Sequence, residues 1–215
     1  MKKATVLAGS RGIGAGISNS LKSLGFDVTA TSSNDLDTSD IDSVLKFVED
    51  QGEIDILVLN TGGPPAKKFF DIQISEWDKY YRQLFLGFCL MLQKSKIRDN
   101  GYVFLVSSFN IKEPNPDLVL SNSFRIAFVS VLKSVSKILA PRGISCINIA
   151  PGPIKTDRLN TLVEDMEAFE KSLPMKRAAE PEEIGRFVSS IVENDISYLS
   201  GVTINFDGAA SNYVL

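Results

Sequence analysis

"VLAGSRGIGAGIS", residues 6–18, decides how the chain is read. It closes a short apolar run, ATVLAG (4–9), that reads as a buried strand, and opens a helical pattern over 13–24 that stops at Gly25. Gly9, Gly12, Gly14 and Gly16 permit a tight strand-to-helix turn. The unpaired backbone N–H groups at the start of the helix suit a phosphate or pyrophosphate. A glycine cluster alone is weak evidence, and a purely structural turn is the bland alternative. Its place between a strand and a helix is what points to a dinucleotide.

Outward from this turn, apolar runs alternate with helical patterns. DVTATS (27–32), IDILVLN (54–60), GYVFLVSS (101–108), ISCINIAP (144–151) and GVTINFDG (201–208) read as strands. DTSDIDSVLKFVEDQG (37–52) reads as a helix entered through Asp, Thr and Ser capping residues. Further helices are expected over 75–98, with Glu76 and Asp78 in the first turn, over 119–139, and over 181–193, entered at Pro181. Strands apolar on both faces and separated by helices imply a doubly wound parallel sheet with helices on both faces. Ligands of such sheets lie at the carboxyl ends of the strands. The segment 155–179 is the least regular and is the candidate substrate flap.

The bulk numbers suit one α/β domain over 1–215: 215 residues, 44% hydrophobic and 23% charged. A net charge of −3 favours neither nucleic acid nor an anionic membrane as a partner. No apolar stretch reads as long enough to span a bilayer, and MKKATVLAGSRG is too short for a signal peptide. The expected location is cytoplasmic. Cys89 and Cys146 stand alone in apolar runs and read as buried, reduced thiols. The chain has no His, which excludes a Ser-His-Asp arrangement and leaves no metal site expected.

Five segments then fall in a familiar order: GSRGIG (9–14), NTGG (60–63), VSS (106–108), LAPRGISCINIAPGPIKT (139–156) and SGVTINFDGA (200–209). In this order they resemble the short-chain dehydrogenases/reductases, in a divergent branch near the 3-oxoacyl-acyl-carrier-protein reductases. The resemblance implies a Rossmann-type fold, an NAD(P) site, hydride transfer involving a small carbonyl or alcohol substrate, and a homodimer or homotetramer. Helices 75–98 and 119–139 would pair the subunits, with the tail SNYVL (211–215) as a second contact.

By this resemblance Gly9, Ser10, Arg11, Gly12, Ile13 and Gly14 hold the cofactor. Asn60 and Gly62 lie along it, and Pro151, Gly152 and Thr156 lie beside its nicotinamide. Asp37 would meet the adenine, or equally cap the following helix. An acidic residue ending the second strand would repel a 2′-phosphate. Here Thr31, Ser32 and Ser33 end it and Arg11 is nearby in the turn, which favours NADP, with NAD as the alternative.

Two departures concern the cofactor site. Leu7-Ala8 stands where the family has Thr-Gly, and Ala fits only if that position does not need φ > 0. The chain also runs from the second strand straight to DTSD through SNDL, without the helix the family inserts there. That should leave the adenosine site thinner-walled.

The catalytic departures are larger. The family's Ser is Ser108. Thirteen residues on, where its Tyr belongs, stands Ser121, and four further on, where its Lys belongs, stands Arg125. Its Asn position holds Leu84. A Ser hydroxyl is a far weaker acid than a Tyr, and an arginine relays protons poorly. Tyr80 and Tyr81 read as packing residues, and Lys67 and Lys68 as solvated loop residues. The leading expectation is an NADP-dependent oxidoreductase in which Ser108, Ser121 and Arg125 form the catalytic group. The alternatives are a dinucleotide-binding sensor or structural partner without turnover, and a non-redox enzyme using the same pocket.

Overall fold

The computed structural model describes residues 1–214; of the tail 211–215, Leu215 lies outside the described residues. These residues form a parallel sheet of six strands in the order β2-β1-β3-β4-β5-β6. The strands are β1 (Lys3–Val6), β2 (Asp27–Ala30), β3 (Glu53–Leu59), β4 (Lys96–Val106), β5 (Ser145–Pro151) and β6 (Val202–Phe206). The helices are α1 (Gly12–Ser23), α2 (Ile41–Gln51), α3 (Ile74–Tyr81), α4 (Gly87–Lys94), α5 (Val119–Leu139), α6 (Asp157–Asn160), α7 (Met166–Ser172) and α8 (Pro181–Glu193). This is a Rossmann-type doubly wound fold.

Side-chain alternation along the central strands explains why both faces had to be covered. Ile56, Val58, Phe104, Val106, Ile147 and Ile149 pack with Ile17 and Leu21 of α1 and Ile184 and Val188 of α8. Leu57, Leu59, Val103, Leu105 and Cys146 pack on the other side with Val44 and Val48 of α2, Phe88 and Met91 of α4, and Phe128 and Leu132 of α5. A period of two with both phases apolar cannot leave either face in water. The order in which strands are added reverses between β1 and β3, which run parallel side by side in the sheet although β2 separates them in sequence. The carboxyl ends of β1 and β3 therefore flank the crevice where such folds bind ligands.

On the first face, α1 and α8 touch backbone to backbone. A Cβ on Gly16 would stand 2.4 Å from Pro181 O, and one on Gly185 would stand 2.2 Å from Gly16 O. Both positions need glycine because nothing else is thin enough.

Several boundaries differ from the sequence reading. The helix expected over 37–52 starts only at Ile41, because Asp40 caps it by accepting from the N–H groups of Asp42 and Ser43. The helix expected over 75–98 is broken by a π turn, Arg82–Leu86, and ends at Lys94. Lys96 already pairs with Glu53, so β4 starts earlier than expected, with an irregular register between Ile54 and Ile56 and Asn100 at φ 62°. The helical stretch Pro116–Arg142 is, by length and composition alone, apolar enough to cross a membrane, which corrects the expectation that no stretch is. Its Leu120, Phe128 and Leu132 are buried in the protein, whereas Ile126 and Ile138 are exposed. The thiols of Cys89, half-buried, and Cys146, buried, are both pushed up by burial, the latter to about 12.

Ion pairs fasten the segment 155–179 to α8. Lys155 meets Glu170 and Glu180, and the Arg177 guanidinium grips both oxygens of Glu183. Arg177 holds the Glu183 carboxyl down to about 2, against an ordinary 4.5. A depressed carboxyl pKa contributes stability above the unfolded value and loses it as pH falls through the folded one. Glu183→Gln should therefore lower Tm by about 1–3 °C near neutral pH. In thermal melts at stepped pH, the gap should close between about 4.5 and 2.

Candidate active site

The turn between β1 and α1 is bent by a residue that pays a conformational cost. Ala8 adopts φ 47°, in the left-handed region, so the expectation that alanine fits only without positive φ is corrected. The reason is local packing. A Cβ on Gly14 would lie 2.1 Å from Ala8 O, so the chain must fold back at residue 8 to let α1 begin. Thr31 Oγ1, buried at the end of β2, accepts from the Ala8 N–H at 3.1 Å and holds the strained conformation. Left-handed alanine costs about 1 kcal/mol. Ala8→Gly should raise Tm by about 2–4 °C in a thermal melt.

The start of α1 is open to an anion. Its N-cap, Arg11, makes no side-chain capping bond, and the first turn holds no acidic residue. The N–H groups of a helix's first turn have no partner within the helix. Ser10 and Arg11 are exposed, Gly14 is buried, and half-buried Ile13 points into the core. Gly12, at φ 52°, faces Thr156, whose Cγ2 would lie 3.2 Å from a Cβ there. The fold thus brings residues 12 and 156 together from opposite ends of the sequence. Thr156 follows Pro151 and Gly152 at the carboxyl end of β5, where Gly152 N–H donates to Phe206 O. Asn60, ending β3, donates from Nδ2 to Leu7 O at 3.3 Å and ties the two strand ends together. This donor set fits a dinucleotide, with the uncapped N–H groups of α1 for its phosphates.

Around the second strand the picture is more specific than the sequence suggested. Ser32 N–H and Oγ both donate to Asp35 Oδ2, at 2.8 and 2.7 Å, which holds that carboxyl below its usual range. Asp37 Oδ1 accepts from Ser39 N–H and Oγ, so its side chain closes a turn and the helix cap is Asp40 instead. No helix stands between β2 and Asp37, as the short spacing implied.

The remaining residues converge at the ends of β3, β4 and α5. Ser108 lies just beyond β4 and its hydroxyl oxygen accepts from Asn110 N–H at 3.2 Å. Ser121 and Arg125, one helical turn apart on α5, are each 9% exposed and bonded to each other, Arg125 Nε donating to Ser121 Oγ at 3.2 Å. Arg125 also donates to Val106 O at 3.0 Å and Thr61 O at 3.2 Å. Burial, and secondly the nearby Arg158, bring its pKa down to about 10, so it is charged at neutral pH.

Three groups escaped the sequence reading. The π turn carries buried Leu84, but the preceding Gln83 donates from Nε2 to Thr61 Oγ1 and Gly62 O, both at 3.1 Å. An amide therefore reaches this region from the residue next to Leu84. Arg158 of α6 donates to Pro64 O, joining the flap to the GGPP loop, and only its sequence neighbourhood, two residues past Thr156, hinted at it. Tyr80, which read as a packing residue, lies near Arg158. Tyr81 does pack, stacked on Phe85 at 5.6 Å. Lys67 and Lys68 are ion-paired, to Glu76 and Asp117.

Comparison with known proteins gives concordant results. A family model described as Enoyl-(Acyl carrier protein) reductase matches residues 36–210. Nodulation protein G of Azospirillum brasilense is 31% identical over 181 residues, covering 80% of this chain and 74% of that protein. Acetoacetyl-CoA reductase of Rhizobium meliloti is 28% identical over 232 residues, covering 95% of this chain and 96% of that protein. Among solved structures, a short-chain dehydrogenase/reductase from Serratia marcescens has a TM-score of 0.85 at 25% identity, over 98% of both chains. A blue fluorescent protein from a metagenomic library, in complex with NADPH, has a TM-score of 0.87 at 21% identity, over 98% of both chains.

Proposed function

The chain belongs to the short-chain dehydrogenase/reductase family, and on that premise we propose that it is an NADP(H)-dependent oxidoreductase of carbonyl or alcohol substrates with a non-standard catalytic group. One observation carries the reading. The oxygens of Ser108 and Ser121 each accept a hydrogen bond, from Asn110 N–H and Arg125 Nε, and neither hydroxyl donates to any described residue. Both O–H groups are free for a substrate oxygen.

When bound, the nicotinamide supplies or takes a hydride at the substrate carbon. Ser108 and Ser121 donate to the carbonyl oxygen as negative charge grows on it, and buried Arg125, behind Ser121, steadies that charge. Electrostatic stabilisation takes over from the missing strong acid, and the proton reaches the oxygen from water by way of the Ser121 hydroxyl. The first-turn N–H groups of α1 hold phosphate. Arg11 is the group offered to the 2′-phosphate, Ser32 being bonded to Asp35, with Asp37 beside the adenine, and Asn60, Gly62, Pro151, Gly152 and Thr156 along the remaining length. NADP is also the cofactor named with the blue fluorescent protein of similar fold. The segment 155–179 covers the substrate, and α5 offers Ile126 and Ile138 to a second subunit.

Fluorescence titration with NADPH and NADH, followed by a carbonyl panel read at the nicotinamide absorbance, tests this. Turnover with NADPH preferred is the expected result. Tight binding without turnover on any carbonyl would leave the binding protein, a reading favoured by Ser121 in place of Tyr. Binding of neither nucleotide would refute both.

A further inference from the structure

We infer that Arg125 and Arg158 form an anion site beside Gly63 that takes the carboxylate of the substrate, so that the enzyme acts on small oxo or hydroxy acids. The inference rests on the oxidoreductase reading for the carbonyl chemistry, but the anion site can be tested without turnover.

The two arginines meet at one place from distant parts of the chain. The point where a Gly63 side chain would begin lies 3.7 Å from Arg158 Nη2, 3.8 Å from Arg158 Nε and 3.8 Å from Arg125 Nη2. Arg82, Arg98, Arg142 and Arg177 each hold a carboxylate. Among the described residues, neither Arg125 nor Arg158 does. Arg125 gives three hydrogen bonds, to two backbone carbonyls and a hydroxyl, which leave two of its five N–H groups and its charge without a partner among the described residues. Arg158 is half-buried, gives one bond to Pro64 O, and leaves Nε and Nη1 without a partner among the described residues. Burial pulls the pKa of both below the usual arginine range, and for Arg125 the nearness of Arg158 adds to it. Two guanidiniums partly removed from water and facing each other without a counter-ion are destabilising until an anion enters.

The space for one is present. Gly63 has no side chain, and a Cβ on the neighbouring Gly62 would meet nothing within 4 Å. The N–H groups of Gly62 and Gly63 donate to no described residue. The Nε–Nη2 edge of Arg158 presents the flat fork that suits a carboxylate. Cofactor phosphates have their own donors at the uncapped start of α1. Because Arg125 is bonded to Ser121, an acid seated here places a carbonyl one or two carbons away at the serine hydroxyls, which selects 2-oxo and 3-oxo acids. In the reduction, the carbonyl carbon gains a hydride from the reduced cofactor and the oxygen gains a proton from water. The oxo acid becomes a hydroxy acid, and the cofactor is oxidised by two electrons.

The test uses acetoacetate, acetoacetamide and inorganic phosphate as probes, read by thermal shift and by NADPH fluorescence on the full chain. Acetoacetate is expected to stabilise the NADPH complex and acetoacetamide to fail. Arg158→Gln should weaken acetoacetate about tenfold or more while NADPH affinity stays within about twofold. A second variant, Gly63→Ala, places a methyl in the proposed site at ordinary contact distance and should block acetoacetate with Tm unchanged. Equal stabilisation by acid and amide, equal binding of phosphate, or undiminished acetoacetate binding in both variants would overturn the inference. A loss of NADPH affinity in Arg158→Gln would overturn it too, by assigning the arginine to the cofactor. If the unaltered protein binds no NADPH, the oxidoreductase reading fails by itself, and the same acetoacetate arms on the cofactor-free protein still decide the anion site.

Discussion

The double substitution Ser108→Ala with Ser121→Ala is expected to lower kcat/KM for carbonyl reduction by about 10²–10⁴-fold while NADPH affinity stays within about twofold. Each hydroxyl oxygen accepts one hydrogen bond and its O–H donates to no described residue, so the proton is available to a substrate oxygen. With both removed, the growing charge on the carbonyl oxygen faces Arg125 alone, whose Nη1 and Nη2 remain tied to Val106 O and Thr61 O. Each single variant should lose part of the effect. The two losses should not add, because in the proposed mechanism both hydroxyls serve one oxygen. Steady-state kinetics on the two singles and the double measure this, and a double variant as active as the parent would remove both serines from the mechanism.

The second large effect concerns the turn. Gly14→Val should destabilise the fold by about 3 kcal/mol and abolish NADPH binding. A Cβ there meets Ala8 O at 2.1 Å, Ala8 C at 2.8 Å and Asn60 Nδ2 at 2.9 Å. Two of these atoms are backbone and cannot swing away. The clash would pry residue 8 out of the conformation that Thr31 stabilises and would break the tie between the ends of β1 and β3. Gly62→Ala is the matched control. Its Cβ enters open space, so denaturant unfolding should be unchanged.

Why some of this was readable from sequence and some was not follows from the range of the interactions. The apolar runs of β3 and β5 and the Pro-led start of α8 are local signals, and the structure follows them to within a residue. The start of β4 is not local. Lys96 and Arg98 look like the polar end of a helix, and they become strand residues because Glu53 and Asp55 of β3 lie alongside. At the site, the bonded pair of Ser121 and Arg125 was visible as an i, i+4 spacing. Arg158 was not, since its meaning depends on residues 63 and 125 arriving at the same place. Gln83 was hidden for another reason. Counting residues assumes a regular helix, and the wide π turn at Arg82–Leu86 changes which side chain faces the GGPP loop.

The backbone contact between Gly16 and Gly185 also has a temporal side. The ribosome delivers α1 well before α8, yet each is the surface the other was shaped to fit. Until α8 emerges, Ile17 and Leu21 of α1 can lie against the strands but lack Ile184 and Val188, and the backbone of Gly16 has no partner helix. The helix that opens at the glycine turn is therefore fully packed only once α8 has been made. A chain that stalls after β5 would carry the glycine turn without the helix that packs behind it.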